Sequence, residues 1–231
     1  MKAYPCKGSV QSGFTLVEIA IVLVIIGLLL GGILKGQEMI TNAKIKNVIN
    51  DFNGITAAVN SYQDRYRALA GDELNATVSA RWTGAFGGDG NGVLCTSACG
   101  FTPPAYNTAP AIPSSASVEP SLFWLHLRLA GFVAGPTSGV NSTAQPSNAA
   151  NGIIGVQTTG LGFGSNIICS SNLPDKIAIA VDTQMDDANQ ATGQVRGQLQ
   201  AGTPSPTVNT TASASNYAET GANQYLLCKS L

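Results

Sequence analysis

Residues 10–32 read VQSGFTLVEIAIVLVIIGLLLGG. From Phe14 to Leu34 the chain runs 21 residues with one charged side chain, Glu18. At about 1.5 Å per residue, that length crosses a hydrocarbon core of about 30 Å. A carboxylate in such a segment is costly unless it reaches the interface, takes a proton or meets a cation. The first 13 residues carry Lys2 and Lys7 and no acid. That bias predicts a cytoplasmic N-terminus, although Lys35, Lys44 and Lys46 follow the span and weaken it. A secretory signal peptide fits poorly, because no A-x-A pattern follows the apolar run and Glu18 sits inside it. A plain membrane anchor leaves Glu18 unexplained.

The helical pattern continues beyond the span. Ile45, Val48 or Ile49, Phe52, Ile55, Val59, Tyr62, Tyr66 and Leu69 recur at steps of three and four. Lys44, Lys46, Asn50, Asp51, Gln63, Asp64 and Arg65 fill the other faces, and no proline occurs between Pro5 and Pro103. The spacing predicts one helix from about Phe14 to Leu69, ending near Gly71. At roughly 56 residues it is about 84 Å long. Its second half is predicted to pack against a folded head. Gly27, Gly31, Gly32 and Gly36 cluster where the span ends. Each weakens a helix by about 1 kcal/mol relative to Ala, and each lets helices approach closely in a membrane.

After Gly71 the composition changes. Residues 84–100 are glycine-rich, and residues 101–120 are punctuated by proline. A short helix is predicted over about 119–130, stopped by Gly131, with Leu122, Leu125 and Leu129 on one face. KIAIAVDTQ (176–184), TGQVRGQLQA (192–201) and NQYLLCKSL (223–231) are predicted strands. Residues 202–216 are uncharged with one valine, Val208, and are predicted to form a mobile surface loop. An antiparallel sheet laid on the second half of the helix is expected, an α+β fold.

Charged residues are only 11% of the chain and the net charge is −1. No basic patch is visible, so nucleic acid is not an expected partner. Of five cysteines, Cys6 lies in the first 13 residues, leaving Cys95, Cys99, Cys169 and Cys228. Four cysteines allow three pairings, of which 95–99 with 169–228 is one. A four-cysteine zinc site is the rival, but C-x3-C with two distant single cysteines is poor spacing for it. Asp89 in GGDGNG, and Asp182, Asp186 and Asp187 in VDTQMDDANQATG, are candidate Ca²⁺ ligands. Neither stretch has EF-hand spacing, and acidic turns are commonly just solvated. His126, the only histidine, sits among leucines and aromatics and reads as structural. No catalytic triad, Walker loop or HExxH motif appears, and GLGFG (160–164) lacks the helix a phosphate loop needs. The chain is not expected to be an enzyme.

SGFTLVEIAIVLVIIGLLLGG (12–32) resembles the prepilin peptidase motif of type IV pilins and type II secretion pseudopilins. That motif is a short basic leader ending in Gly, then Phe, then an apolar run whose fifth residue is Glu. Gly13 and Phe14 match the cleavage point, and Glu18 is fifth after it (18 − 13 = 5). The resemblance implies a pilin-like fold, a long N-terminal helix with a transmembrane first half and a C-terminal antiparallel sheet. It implies removal of leader 1–13 by prepilin peptidase and N-methylation of Phe14. Residues 14–36 are then the transmembrane and assembly helix, 37–70 its amphipathic continuation, and 71–231 a periplasmic or extracellular head. Glu18 would face the new amine of a neighbouring subunit. Implied partners are like or related pilin subunits, an inner-membrane assembly platform and membrane lipid. The implied location is the bacterial inner membrane, single pass, and then a periplasmic or cell-surface filament. No cofactor is implied, although some major pseudopilins hold a loop calcium near the C-terminal end. Family members commonly carry a proline where this chain has its glycines. A mature length of 231 − 13 = 218 residues leans towards a minor or specialised subunit, and Glu18 argues against the tip pseudopilin, which lacks that acid. The rival from another class is an uncut membrane-anchored exported binding domain.

Overall fold

The sequence pattern along residues 14–69 is realised as one helix, α1, Leu16–Tyr66, in a computed structural model that describes residues 15–94, 106–114, 118–200 and 207–231. The cleavage pair Gly13–Phe14, the cysteines Cys6, Cys95 and Cys99, and the first part of the predicted mobile loop, 202–206, lie outside the described residues. The chain divides into two units, Met1–Asn42 and Ala43–Leu231.

In the first unit, α1 is apolar and uncovered. Leu16, Val24, Leu28 and Leu34 are each more than half exposed. Among the described residues, this is the one helix long and apolar enough to cross a membrane.

In the second unit the helix becomes amphipathic, and its stripe is buried. Ile45, Val48, Phe52, Ile55, Val59 and Tyr62 all enter one core cluster. The helix ends three residues earlier than its periodicity predicts. Arg67 takes a left-handed backbone, φ 58°, which breaks the ladder before Leu69. A short helix α2, Asn75–Arg81, follows, and the sequence pattern does not announce it. Helix α3, Glu119–Leu129, forms where predicted, with Pro120 in its first turn and Gly131 at φ 79° beyond its end. Its burial is nearly complete, wider than the single leucine face expected.

Four antiparallel strands make the sheet: β1 Ile154–Gly160, β2 Phe163–Pro174, β3 Val195–Leu199 and β4 Gln224–Ser230, in the order β1-β2-β4-β3. The last two were expected. The β1–β2 hairpin was not among the predicted elements, and GLGFG is its turn. Gly160 and Gly162 at φ 136° and 76° supply the reversal. Alternation sorts the strand side chains onto two faces. Ile168 and Leu173 of β2, with Tyr225 and Leu227 of β4, join the α1 stripe. Ile167 and Cys169, with Leu226 and Cys228, join Tyr106 and Leu161 on the opposite face. The expectation of a sheet against the second half of the long helix therefore holds within the second unit.

One predicted strand is wrong. KIAIAVDTQ lies within helix α4, Asp175–Met185. Its K-I-A-I-A-V run alternates like a strand. The residues that bury are instead Ile177, Ala178 and Val181, spaced one and four apart, a helical face. Asp175, in the first turn, accepts N–H bonds from Thr220 (2.7 Å) and Gly221 (2.6 Å), locking the helix start to the loop before β4. The predicted surface loop is irregular and largely exposed over its described part, and is anchored near its start. Within 207–216, the carbonyls of Asn209 and Thr210 accept the N–H groups of Leu161 (2.7 Å) and Gly162 (3.0 Å), and Gln198 takes the N–H of Asn209 (2.7 Å).

His126 is structural, as its setting suggests. It is fully buried; Nδ1 accepts the N–H of Gly71 (2.9 Å), and Nε2–H donates to the carbonyl of Phe86 (2.8 Å). Gly71 is required there, since its φ is 90° and a Cβ would meet the Glu119 carbonyl at 2.5 Å. Burial holds the imidazole below its usual pKa of 6.5 and outweighs the nearby Glu73 carboxylate. The folded protein thus keeps His126 neutral, while the unfolded chain takes up a proton below about pH 6.5. That contribution to stability is complete above pH 6.5 and is lost as pH falls. We expect the urea midpoint of the full chain in detergent to drop from pH 7.5 to pH 5. His126→Gln is less stable at pH 7.5 and should flatten this dependence; an unchanged slope would contradict it.

Candidate functional site

Glu18 sits in the first turn of α1 and closes a capping box with Thr15. The Thr15 N–H and Oγ–H both donate to Glu18 Oε2, at 2.8 and 2.7 Å, and the Glu18 N–H reaches back to Thr15 Oγ1 at 3.3 Å. The T-x-x-E spacing does this because residues three apart share a helix face and the first N–H groups have no intrahelical acceptor. Only one carboxylate oxygen is used. Glu18 Oε1 meets no donor among the described residues and is free to accept another.

Below Glu18 the helix presents an apolar surface. The positions of Gly27, Gly31, Gly32 and Gly36 are open, with nothing within 4 Å of where a Cβ would be. They form two pairs four residues apart, the spacing that lets apolar helices pack backbone to backbone.

The acids chosen from the sequence fall into two separate groups. Ligand oxygens of Asp182, Asp186 and Asp187 lie within 4.8 Å of one another. Asp182 is buried, accepts from Tyr217 Oη at 2.5 Å, and is pushed up to about 6, mainly by burial and also by Asp187. Asp187 is held below the usual range by the Thr192 hydroxyl (2.6 Å) and the Asn189 N–H (2.9 Å). Asp186 accepts from the Val195 N–H at 2.9 Å. Asp89 joins a different group, with Asp72 and Glu119. Neither of those stands out in the sequence, because the fold brings them to Asp89 from 17 and 30 positions away. Asp72 accepts the N–H groups of Gly90 (3.0 Å), Asn91 (3.0 Å) and Gly92 (2.8 Å), and Glu119 that of Asp89 (3.1 Å). Burial raises the Asp72 carboxyl, and those N–H groups oppose the rise. In each group the carboxylate oxygens are close enough together for one divalent cation to reach all three. Their loops already supply donors to each acid, and three carboxylates giving one oxygen each supply three of the six to eight oxygens Ca²⁺ takes.

Cys169 and Cys228 face each other in the β2–β4 register and form a disulfide. The bridge ties the last strand to the sheet centre and suits an oxidising compartment.

Residues 8–34 match the family model described as the prokaryotic N-terminal methylation motif. The match spans Gly13, Phe14 and Glu18. It is the signature of prepilin-type substrates, the class of type IV pilins and pseudopilins. The α+β arrangement, a long apolar N-terminal helix followed by a four-stranded antiparallel sheet, is pilin-like. That class is structural rather than enzymatic, and its motif with the apolar helix fits membrane anchoring before assembly. No curated protein and no solved structure matches the chain.

Thr15→Val removes both hydroxyl bonds of the capping box. It is expected to cost the first turn about 1 kcal/mol. Amide exchange at residues 16–19 in detergent micelles should speed up about fivefold, with exchange in the second unit unchanged.

Proposed function

We propose that this chain is a structural subunit of a type IV pilus-like or type II secretion pseudopilus filament. Prepilin peptidase cuts between Gly13 and Phe14, Phe14 is N-methylated, and the subunit waits in the inner membrane with the second unit outside. Like subunits then pack through α1. The observation that carries the reading is Glu18: a carboxylate on an uncovered apolar helix, inside the matched methylation motif, with one oxygen left to accept.

The physical logic is pairing. An acid among packed apolar helices needs a cation, and loss of a buried partner costs far more than loss of an exposed one. Cleavage creates an amine at residue 14, four positions before Glu18. Within one chain Thr15 occupies Oε2, and a neighbour's amine would take Oε1. The acid is tolerable in the monomer and sets the register in the filament. The glycine pairs support close helix approach, and the Cys169–Cys228 bridge supports an exported second unit.

Two measurements test this. The mature protein, isolated from its membrane, should have the intact mass of residues 14–231 with one added methyl group. A chain beginning at Met1 would instead make the protein an uncut anchored binding domain. Glu18→Ala should insert into the membrane normally and still be cut, yet fail to assemble; normal filaments from that variant would sink the register.

A further inference from the structure

Asp51 lines an open groove of about 320 Å³ with Asn47 and Asn50 of α1 and with Ser147, Asn148 and Ala149 of the loop before β1. All but one of these six side chains are polar, and Asp51 is the only charge. Asn148 makes the far wall rigid. Its amide donates to Ser170 Oγ (2.8 Å) and the Ser171 carbonyl (2.7 Å), and its oxygen accepts from Ala150 (2.8 Å) and Gly152 (2.9 Å). Asp51 is half-buried, and burial raises its carboxyl. It has no hydrogen bond or ion pair among the described residues. A partly desolvated acid in a polar, preformed groove favours an incoming ammonium.

Lys46 is the complementary group. It is exposed and likewise has no ion pair among the described residues. Five positions on a helix turn through about 140° net, so Lys46 and Asp51 point to different flanks and cannot meet within one chain. Both lie off the buried stripe of Ile45, Val48, Phe52 and Ile55. Two parallel copies packed side by side present the lysine flank of one to the groove flank of the other.

The stagger brings them level. The Glu18-to-amine register, on which this step rests, sets residue 14 of one copy beside residue 18 of the next. That is four residues, about 6 Å along a helix. Identical copies related by one screw operation are displaced equally along its axis at every residue, and α1 is one continuous helix through both positions. Residue 46 of the first copy then lies level with Asn50 of the second, one residue from Asp51. A lysine stem of about 6 Å spans the remaining offset.

We infer that the Asp51 groove of one subunit receives the Lys46 side chain of the neighbouring subunit, a second electrostatic contact that repeats along the filament. The contact is heterologous: each copy offers a lysine on one flank and a carboxylate on another, so it propagates rather than closing into a dimer.

The test uses the full chain in its assembling cells, with surface filaments counted by electron microscopy and chain level checked by immunoblot. Lys46→Asp and Asp51→Lys should each cut filament yield by at least about tenfold, through like-charge contact. The double swap should restore yield to within about threefold. Normal filaments from both single reversals, or a double swap no better than either, overturn the pairing. Lys46→Cys combined with Asp51→Cys, on mild oxidation, should give a ladder of covalent multimers absent from either single cysteine variant. Filaments from the double-cysteine chain with no ladder also overturn it. No filament from the unaltered chain would overturn the subunit reading itself, and this contact with it. Loss in Glu18→Ala with normal assembly of Lys46→Asp and Asp51→Lys would leave the first register standing and remove the second.

Discussion

A helix that is apolar on every side and carries one carboxylate cannot be left in water. Leu16 to Leu34 must be covered by lipid or by other helices, and Glu18 must find a donor wherever the helix goes. The capping box meets the second demand locally: Thr15 supplies two donors to one oxygen. It leaves the other oxygen free to accept a further donor. The same helix changes character past Asn42, where apolar residues narrow to a stripe and the sheet and α3 bury it.

The second unit solves a different problem. Its surface is polar with few charges, so its loops are held by hydrogen bonds more than by ion pairs. Buried carboxylates do much of this work. Asp72 gathers three backbone N–H groups of the glycine-rich loop, Asp175 gathers those before β4, and Asp182 holds Tyr217. At the end of α1, Glu73 joins Arg81 (2.7 and 2.9 Å) and Tyr62 (2.5 Å), and Arg81 stacks over Tyr66 at 4.1 Å. Such networks fix a loop only if every member is satisfied. His126 is the same device with a neutral ring, and its neutrality makes the junction of α1, α3 and the Gly71 turn sensitive to acid.

Asp51 departs from this pattern. Every other buried or half-buried acid discussed here has donors, and this one faces a groove. A pairing with the neighbour's Lys46 would give the filament two contacts of different strength. One would be buried among apolar helices, where salt has little effect. The other would be near the surface, where salt would screen it. Two contacts at a common stagger specify that stagger better than either does singly.

What the sequence determined by itself was what rests on local chemistry. A membrane-length apolar run leading without a proline into a 3.6-residue period from Ile45 to Leu69 has one realisation, so α1 was legible, as were the motif around Gly13, Phe14 and Glu18 and the strands ending in Leu199 and Ser230. Tertiary structure decided whatever depends on distant partners. KIAIAV alternates like a strand, but Ile177, Ala178 and Val181 bury together only in a helix, and what they pack against is set by residues far along the chain. The β1–β2 hairpin has small and polar residues that gain strand character only by pairing, β1 with β2 and β2 with β4. Asp72 and Glu119 meet Asp89 because Gly71, with no Cβ, lets α3 approach the end of the long helix. The lone half-buried acid at Asp51 was invisible for the same reason: its groove is closed by a loop almost a hundred residues away, and only the folded chain puts that wall beside it.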